Sequence, residues 1–547
     1  MFARIKKVKN NDGSTREYLL IVKNEWVGGR VVQKTLANLG RMDILGQKDV
    51  AQILIEKLQE YHKIEGLINL GKSQCEWSKE YGILVILRRL WEQLGLKELF
   101  EGYLGQHRYQ TDLAECIFAM VTNRLIKQDS EYATARWLGE VHEERWQDFD
   151  VHHFYKALDF LVEHKADFER DLFTNTTDLF SQELDLIMFD TTSIKYWGEG
   201  KEADILQHGY SKEKRSDLKQ IIVGMLMSKD GLPVGCEIFD GNTADVKSFI
   251  RVIEKLKTRF NIGRIIWVAD RGMVSKHNLE KLNELKQDYI LGVRMRQLSK
   301  QRRQEYLNPK DMWEVKDNLY VKEINVEGEG RYIICFNPEE CEKRRINRQY
   351  FKQHINKKVA TTNPKDWMIK NAYKKFVDFE GKLEINDKKI YEEAQYDGYW
   401  VLLTNTTLSS KEVALYYKGL WQIEAGFKDL KNDLETCPIY HFKQERIIGH
   451  VLICFLALLL KVALKKKIKA INPEASYREV FEAVQKIKAV KIQCERQEVI
   501  FRTEFPPKAH LAFQALGVAP TPRIISYQKR QSLVSRQDEP DLFSSLK

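Results

Sequence analysis

The sequence has no CxxC pair, which argues against a zinc ribbon or a disulfide framework. Its eight cysteines are scattered, and several lie in apolar runs, Cys116 in AECIFAM and Cys454 in VLICFLALLL. Reduced core thiols of a cytosolic protein are therefore expected. The opening MFARIKKVKNNDGS contains no apolar stretch of the signal-peptide kind. An uninterrupted apolar run of membrane-spanning length is also missing. In Ile447–Leu464, His450 and Lys461 leave only the ten residues Val451–Leu460, against about twenty for a span. A buried core helix is expected there, and no membrane partner. No internal repeat or low-complexity segment is present, and no charge sign dominates: 88 basic residues stand against 78 acidic ones, a net +10. That balance agrees with a polyanionic partner without selecting one. With 43% hydrophobic and 30% charged residues the composition is that of a soluble globular protein. A length of 547 residues exceeds what one core supports, so several structural units are expected.

What is present changes texture along the chain. The first forty residues alternate polar and apolar positions between glycine-rich turns (EYLLIVKNEW, GRVVQKTLANLG), predicting a small antiparallel sheet in 1–48. Three- and four-residue apolar spacing in DVAQILIEKLQEYHK, EYGILVILRRLWEQLG and DLAECIFAMVTNRLI predicts a mainly helical region over 49–180. From 181 to 295 the order reads β-β-β-α-β-α-β, a mixed α/β layer arrangement, with Lys229-Asp230-Gly231 as a hairpin turn. Residues 296–395 read as a charged, irregular, strand-poor insertion carrying one strand pair around INVEGEGRYIICF. DGYWVLLTNTT resumes the α/β unit over 396–448, and 449–547 reads as a helical region with a polar tail.

Two apolar strands each end in an aspartate, LIMF-Asp190 and IIWVA-Asp270. Functional groups gather at the carboxyl ends of neighbouring strands in sheets of this kind. Side by side, two carboxylates repel unless a cation lies between them, and oxygen-only ligands suit magnesium or manganese. Either aspartate alone could equally cap a following turn or helix. A third acid comes from an amphipathic helix expected over Glu412–Asp433, where Tyr417, Glu424 and Lys431 recur every seven residues and so share one face. On a straight helix Lys428 lies about 6 Å and Lys431 about 10 Å beyond Glu424. That spacing suits phosphate contacts better than a shared metal, although a solvated charged face would look the same.

FDTTSIKYW, WVADRGM and Tyr417-x2-Leu420-x3-Glu424-x6-Lys431 together resemble the DDE transposases of bacterial insertion sequences. The resemblance is to the IS-four-like superfamily with its Y-R-E-K signature. LWQIEAGFKDLK and CPIYHF are similar to its longer-chain members, and matching order runs from about Tyr81 to Leu460. The signature arginine position is Leu420 here, which removes an arginine contact to DNA from that turn. The resemblance implies an RNase-H-like catalytic domain with an insertion between the second Asp and the Glu. Flanking it would be a mainly helical N-terminal region with a small β-sheet and a helical C-terminal region. It implies that Asp190, Asp270 and Glu424 hold two Mg2+, which Mn2+ can replace, to cut and join double-stranded DNA at terminal inverted repeats and target sites. A homodimer in the synaptic complex and a cytoplasmic, nucleoid-associated location are also implied. Tyr417, Lys428 and Lys431 are the candidates for phosphate contacts, Trp421 for stacking on an unpaired base, and Arg271 for phosphate contact or for bracing its loop. Thr243 and Asp245 in GNTAD match a turn of the family without a physical role that the sequence reveals. The basic aromatic stretch Arg344–Lys358 is a further DNA-contact candidate. A non-catalytic DNA-binding derivative, or a nuclease without strand transfer, would carry much of the same pattern.

Overall fold

A computed structural model describes residues 2–10, 12–27, 30–46, 50, 74–105, 111–178, 185–210, 215–259, 265–358, 377–379, 383–494 and 497–529. The chain divides into two compact units. One comprises Met1–Trp77, Lys491–Ile500 and Ser526–Lys547; the other comprises Ser78–Val490 and Phe501–Ile525. In the first, strands Phe2–Lys9, Thr15–Val27 and Arg30–Arg41 form the antiparallel sheet that the alternation predicts. The helix expected over DVAQILIEKLQEYHK lies outside the described residues, as does the polar tail from 530 onward.

In the second unit, helices start where short polar side chains satisfy the unpaired N–H groups of the first turn. Asp112 accepts from Glu115 N ahead of Leu113–Ile126, and Asp150 forms a capping box ahead of Val151–Glu163. Both helices pack on Gln444–Ile471. That 28-residue helix is apolar on nearly every face and long enough to cross a membrane by length and composition, yet 89% of its most apolar window is buried in the protein. Its interior lysine is neutralised rather than exposed: Lys461 Nζ is 3.2 Å from Asp429 and also pairs with Asp433. Cys116, Cys236, Cys335 and Cys454 are buried thiols as expected, whereas Cys75 is exposed.

One nine-stranded mixed sheet organises this unit. Across it the strands run Trp313–Lys316, Leu319–Val326, Gly330–Phe336, Tyr399–Thr404, Asp288–Val293, Ile265–Ala269, Asp185–Tyr196, Lys219–Ser228 and Pro233–Asp240. The three strands from Asp185, Ile265 and Asp288 are parallel. The hairpin closed by Lys229-Asp230-Gly231, with Gly231 at φ +74°, adds antiparallel strands on one side. Tyr399–Thr404 adds another on the opposite side. This arrangement fits an RNase-H-like domain. Within 296–395 the strand pair expected around INVEGEGRYIICF is present as Leu319–Val326 and Gly330–Phe336, but the segment is more regular than its charged, irregular reading. Three strands continue the same sheet beyond Tyr399–Thr404, and the basic run forms a helix, Pro338–Lys358.

Because side chains alternate across a strand, each strand divides its residues between two cores. Leu186, Met188, Ile194, Ile266, Val268 and Ile290 join the core that contains Ile423, Phe427 and the Gln444–Ile471 helix. Ile187, Phe189, Trp267, Ala269, Tyr289 and Leu291 join the core formed with Phe249, Val252, Ile253 and Leu282 on the other face.

Candidate active site

The strands Asp185–Tyr196 and Ile265–Ala269 are hydrogen-bonded neighbours, and Phe189 pairs with Ala269. Asp190 and Asp270 are the next residues on each, so their backbones emerge about 5 Å apart, the spacing of paired strands. By alternation, both acids share parity with Met188 and Val268 and point to the face covered by Ile423 and Phe427. Both are half-buried. Asp190 Oδ1 accepts from Thr191 N at 2.7 Å, and Asp270 Oδ1 accepts from the Tyr417 hydroxyl at 2.9 Å. Burial and the facing Asp270 carboxylate push the Tyr417 hydroxyl far above its ordinary pKa, so it remains a donor.

The third acid arrives on a helix that is not continuous. Instead of one helix over Glu412–Asp433 there are three segments: Ser410–Lys418, Trp421–Lys428, and a π-helical turn Asp429–Asp433. Between the first two the backbone tightens to three-residue hydrogen bonds, Leu420 N to Tyr417 O and Ile423 N to Leu420 O. Gly419 lies in this turn at a close approach, where a Cβ would sit 2.9 Å from the Tyr416 carbonyl and 3.0 Å from Met188 Sδ. Beyond Lys428 the coil widens, and Leu434 N reaches back five residues to Asp429 O. The seven-residue repeat through Tyr417, Glu424 and Lys431 therefore does not trace one straight face. Trp421–Lys428 nonetheless packs on the Asp190 strand. Ile423 and Phe427 turn inward, and Glu424, adjacent to Ile423 and about one turn before Phe427, is exposed at the edge of that packed face.

The candidate donor set is three carboxylates: Asp190, midway along a strand that runs on to Tyr196 instead of ending at the acid, Asp270, just past the end of the neighbouring strand, and Glu424 from the helix laid over the same face. Oxygen-only sets of this kind fit hard divalent cations. Among the described residues, these acids are not a group whose donor atoms all lie within 4.8 Å of one another. Ligands to a pair of ions roughly 4 Å apart need not be that close.

Other candidates are dispersed. Tyr417 and Arg271 line, with Asp270, a cleft of about 490 Å3 that also presents Arg294, Arg296 and Arg344. Arg271 is exposed, and its carbonyl accepts from Arg294 Nε at 3.2 Å. Trp421, Lys428 and Lys431 do not line this cleft. Trp421 is 61% exposed, Lys428 is exposed, and Lys431 is half-buried. Leu420 packs against the core. Two contributors were not legible from the sequence. Thr191 Oγ1 donates to Asp245 Oδ1 at 2.7 Å on the opposite face, fixing the residue after Asp190; GNTAD was the only signal for it. Gly292 lies under Tyr417, and a Cβ there would sit 2.3 Å from the hydroxyl oxygen and 2.9 Å from Arg271 N.

A transposase DDE domain matches residues 181–460, just over half of the chain and the whole span from Asp190 to Glu424. The chain belongs to the DDE transposases. Residues 3–67 of this transposase match the N-terminal domain of IS1634-family transposases. Among solved structures, it is similar to a piggyBac transposase synaptic complex with hairpin DNA. The TM-score is 0.34 and the identity 10%, over 74% of this chain and 79% of that one. No curated protein gave a significant match.

Proposed function

We propose that this transposase binds the ends of its insertion sequence as a homodimer, cuts there and joins the freed ends to target DNA, with Asp190, Asp270 and Glu424 as the catalytic acids. It would act in the cytoplasm, on nucleoid DNA. The observation that carries the reading is the Phe189–Ala269 pairing, which brings both aspartates out of neighbouring parallel strands beneath the Glu424 helix. The three carboxylates would hold two Mg2+, or Mn2+. Such ions, when bound, activate an attacking oxygen and stabilise a leaving oxygen in an in-line phosphoryl displacement.

The chain's own residues supply orientation. Tyr417 fixes one oxygen of Asp270 by donating its hydroxyl hydrogen. Thr191, held by Asp245, fixes the strand immediately after Asp190. The arginines of the cleft beside Asp270 would neutralise the phosphates flanking the scissile bond. Such contacts set DNA register without reading bases. Trp421, Lys428 and Lys431, on the Glu424 helix and the turn after it, would meet the same duplex. Water would attack first at the element's end, and the released 3′-hydroxyl would then attack target DNA in the same site. Residues 296–395 would act as the insertion between the second Asp and the Glu, with the flanking regions serving end recognition.

The test combines purified protein, Mg2+ and DNA carrying the candidate end. Nicking at the element boundary and joining to a target plasmid are expected. Both should disappear in Asp190→Ala and in Glu424→Ala while DNA binding persists. Undiminished cleavage in either variant refutes the assignment.

A further inference from the structure

Away from the acids, the helical layer encloses a second polar group. Glu131 opens helix Glu131–Trp137, His441 lies between the π-helical turn and the long core helix, and His450 is on the second turn of that helix. All three are buried, and one donor atom from each lies within 4.8 Å of the other two. The cluster is remote from Asp190. The carbonyl of His441 is met by the hydroxyl of Tyr196 at 3.4 Å, and Tyr196 is six residues, about 20 Å, further along the strand.

Glu131 engages both rings, with Oε2 2.9 Å from His441 Nε2 and Oε1 3.3 Å from His450 Nδ1. His450 Nε2 is 3.2 Å from the carbonyl of Thr436. A carbonyl only accepts, so Nε2 carries the hydrogen, and in the neutral ring Nδ1 turns its lone pair toward the Glu131 carboxylate. Two electron-rich atoms facing each other in a buried site need a positive charge between them. A second proton on His450 would satisfy that contact alone. It leaves His441 Nε2, which is buried and makes no aligned hydrogen bond despite its proximity to Glu131. One cation engages all three donors.

We infer that Glu131, His441 and His450 form a binding site for a zinc-class transition ion, independent of the proposed catalytic site. One carboxylate oxygen and two imidazole nitrogens suit Zn2+ or Co2+ better than Mg2+. Bonds of about 2.1 Å in tetrahedral geometry space the ligand atoms about 3.4 Å apart, within the 4.8 Å that bounds the separations among one donor atom of each residue. The bond from His450 to Thr436 is the kind of outer contact that fixes a ligating histidine. Cys454 Sγ lies 3.8 Å from Nε2, beside the nitrogen that faces Thr436 rather than Glu131, and is not a ligand in this ring orientation. Arg124, buried and bonded to the carbonyls of Gln128, Asp129 and Glu435, adds positive charge nearby. That charge opposes any bound cation, so the ion must be held by coordination to the three donors. The ion would tie the segment after the Glu424 helix to the N-terminal helices.

The test uses tag-free, full-length protein stripped with chelator, then loaded with Zn2+ or Co2+ and desalted. Wild type and Asp270→Ala are both expected to retain about one equivalent per chain, to show the visible absorption of low-symmetry Co2+, and to gain Tm on loading. His441→Asn and His450→Gln should lose all three effects. If either variant unfolds, Glu131→Gln, with circular dichroism confirming its fold, provides the same comparison. Folded wild type that retains no ion, or an ion lost in Asp270→Ala but kept in Glu131→Gln, overturns the inference. Metal content is read without DNA, so the outcome does not depend on whether the acids cut it.

Discussion

Replacing Tyr417 by Phe separates two roles that its position allows. The hydroxyl donates to Asp270 Oδ1 at 2.9 Å, and the ring packs against the core, so Tyr417→Phe replaces the hydroxyl by hydrogen, removing one oxygen atom and the donor while the ring stays in place. A hydrogen bond to a charged group contributes about 1.5–3 kcal/mol. If that energy orients Asp270 for a cation, its loss weakens metal binding by roughly 10- to 100-fold, the usual effect of removing a partner of a metal ligand. The expected result is a rightward shift of that size in the Mg2+ dependence of end cleavage. Activity should be largely restored at saturating metal, and affinity for end DNA unchanged in calcium. Tm should fall little, because Asp270 borders an open cleft where water can replace the lost donor. The reasoning is refuted if Tyr417→Phe leaves the Mg2+ profile unchanged and instead weakens DNA binding, which would make the hydroxyl a phosphate contact.

Gly292→Ala places a methyl group 2.3 Å from the Tyr417 hydroxyl oxygen. Overpacking of this kind costs about 1–3 kcal/mol, so thermal unfolding should show a lower Tm and cleavage should mimic Tyr417→Phe. Asp245→Ala removes the acceptor of Thr191 Oγ1 and should cut nicking about 10-fold or more. Thr191→Ser keeps the bond and should retain activity in the same assay. Asp190→Ala should abolish cleavage yet leave metal-free Tm equal or higher, since one of two adjacent like charges is gone. The Arg331 guanidinium, 2.8 Å away, with the Ser410 hydroxyl, pulls Glu323 down to about 2 and pins the start of the Tyr417 helix to the sheet. A depressed carboxylate stabilises the fold above its unfolded pKa, and that contribution fades as pH falls toward the folded value. Urea midpoints should therefore drop between roughly pH 5 and pH 3 in wild type, and less steeply in Glu323→Gln.

Local chemistry wrote much of this molecule into the sequence. The runs LIMFD and IIWVAD are apolar on both faces, so two buried strands could be read directly, although the first continues past Asp190 to Tyr196 instead of ending at the acid. The Lys229-Asp230-Gly231 turn, the amphipathic helices and the buried character of Gln444–Ile471 follow from equally short-range patterns. Motif order brought the three acids and the family within reach. What the sequence left open depends on pairings between distant residues. The adjacency of Asp190 and Asp270 is a property of the Phe189–Ala269 register, which no periodicity encodes. The close approach of Gly419 to Met188, more than two hundred residues away in the chain, is likewise invisible to local periodicity. The strand pair around INVEGEGRYIICF was legible, but its joining the large mixed sheet through the pairing of Gly330–Phe336 with Tyr399–Thr404 was not. Glu131, His441 and His450 meet only because two helices and the segment before the second one pack together. Propensity acts over a few residues, whereas a site needs groups from far along the chain, and it was packing that brought them together.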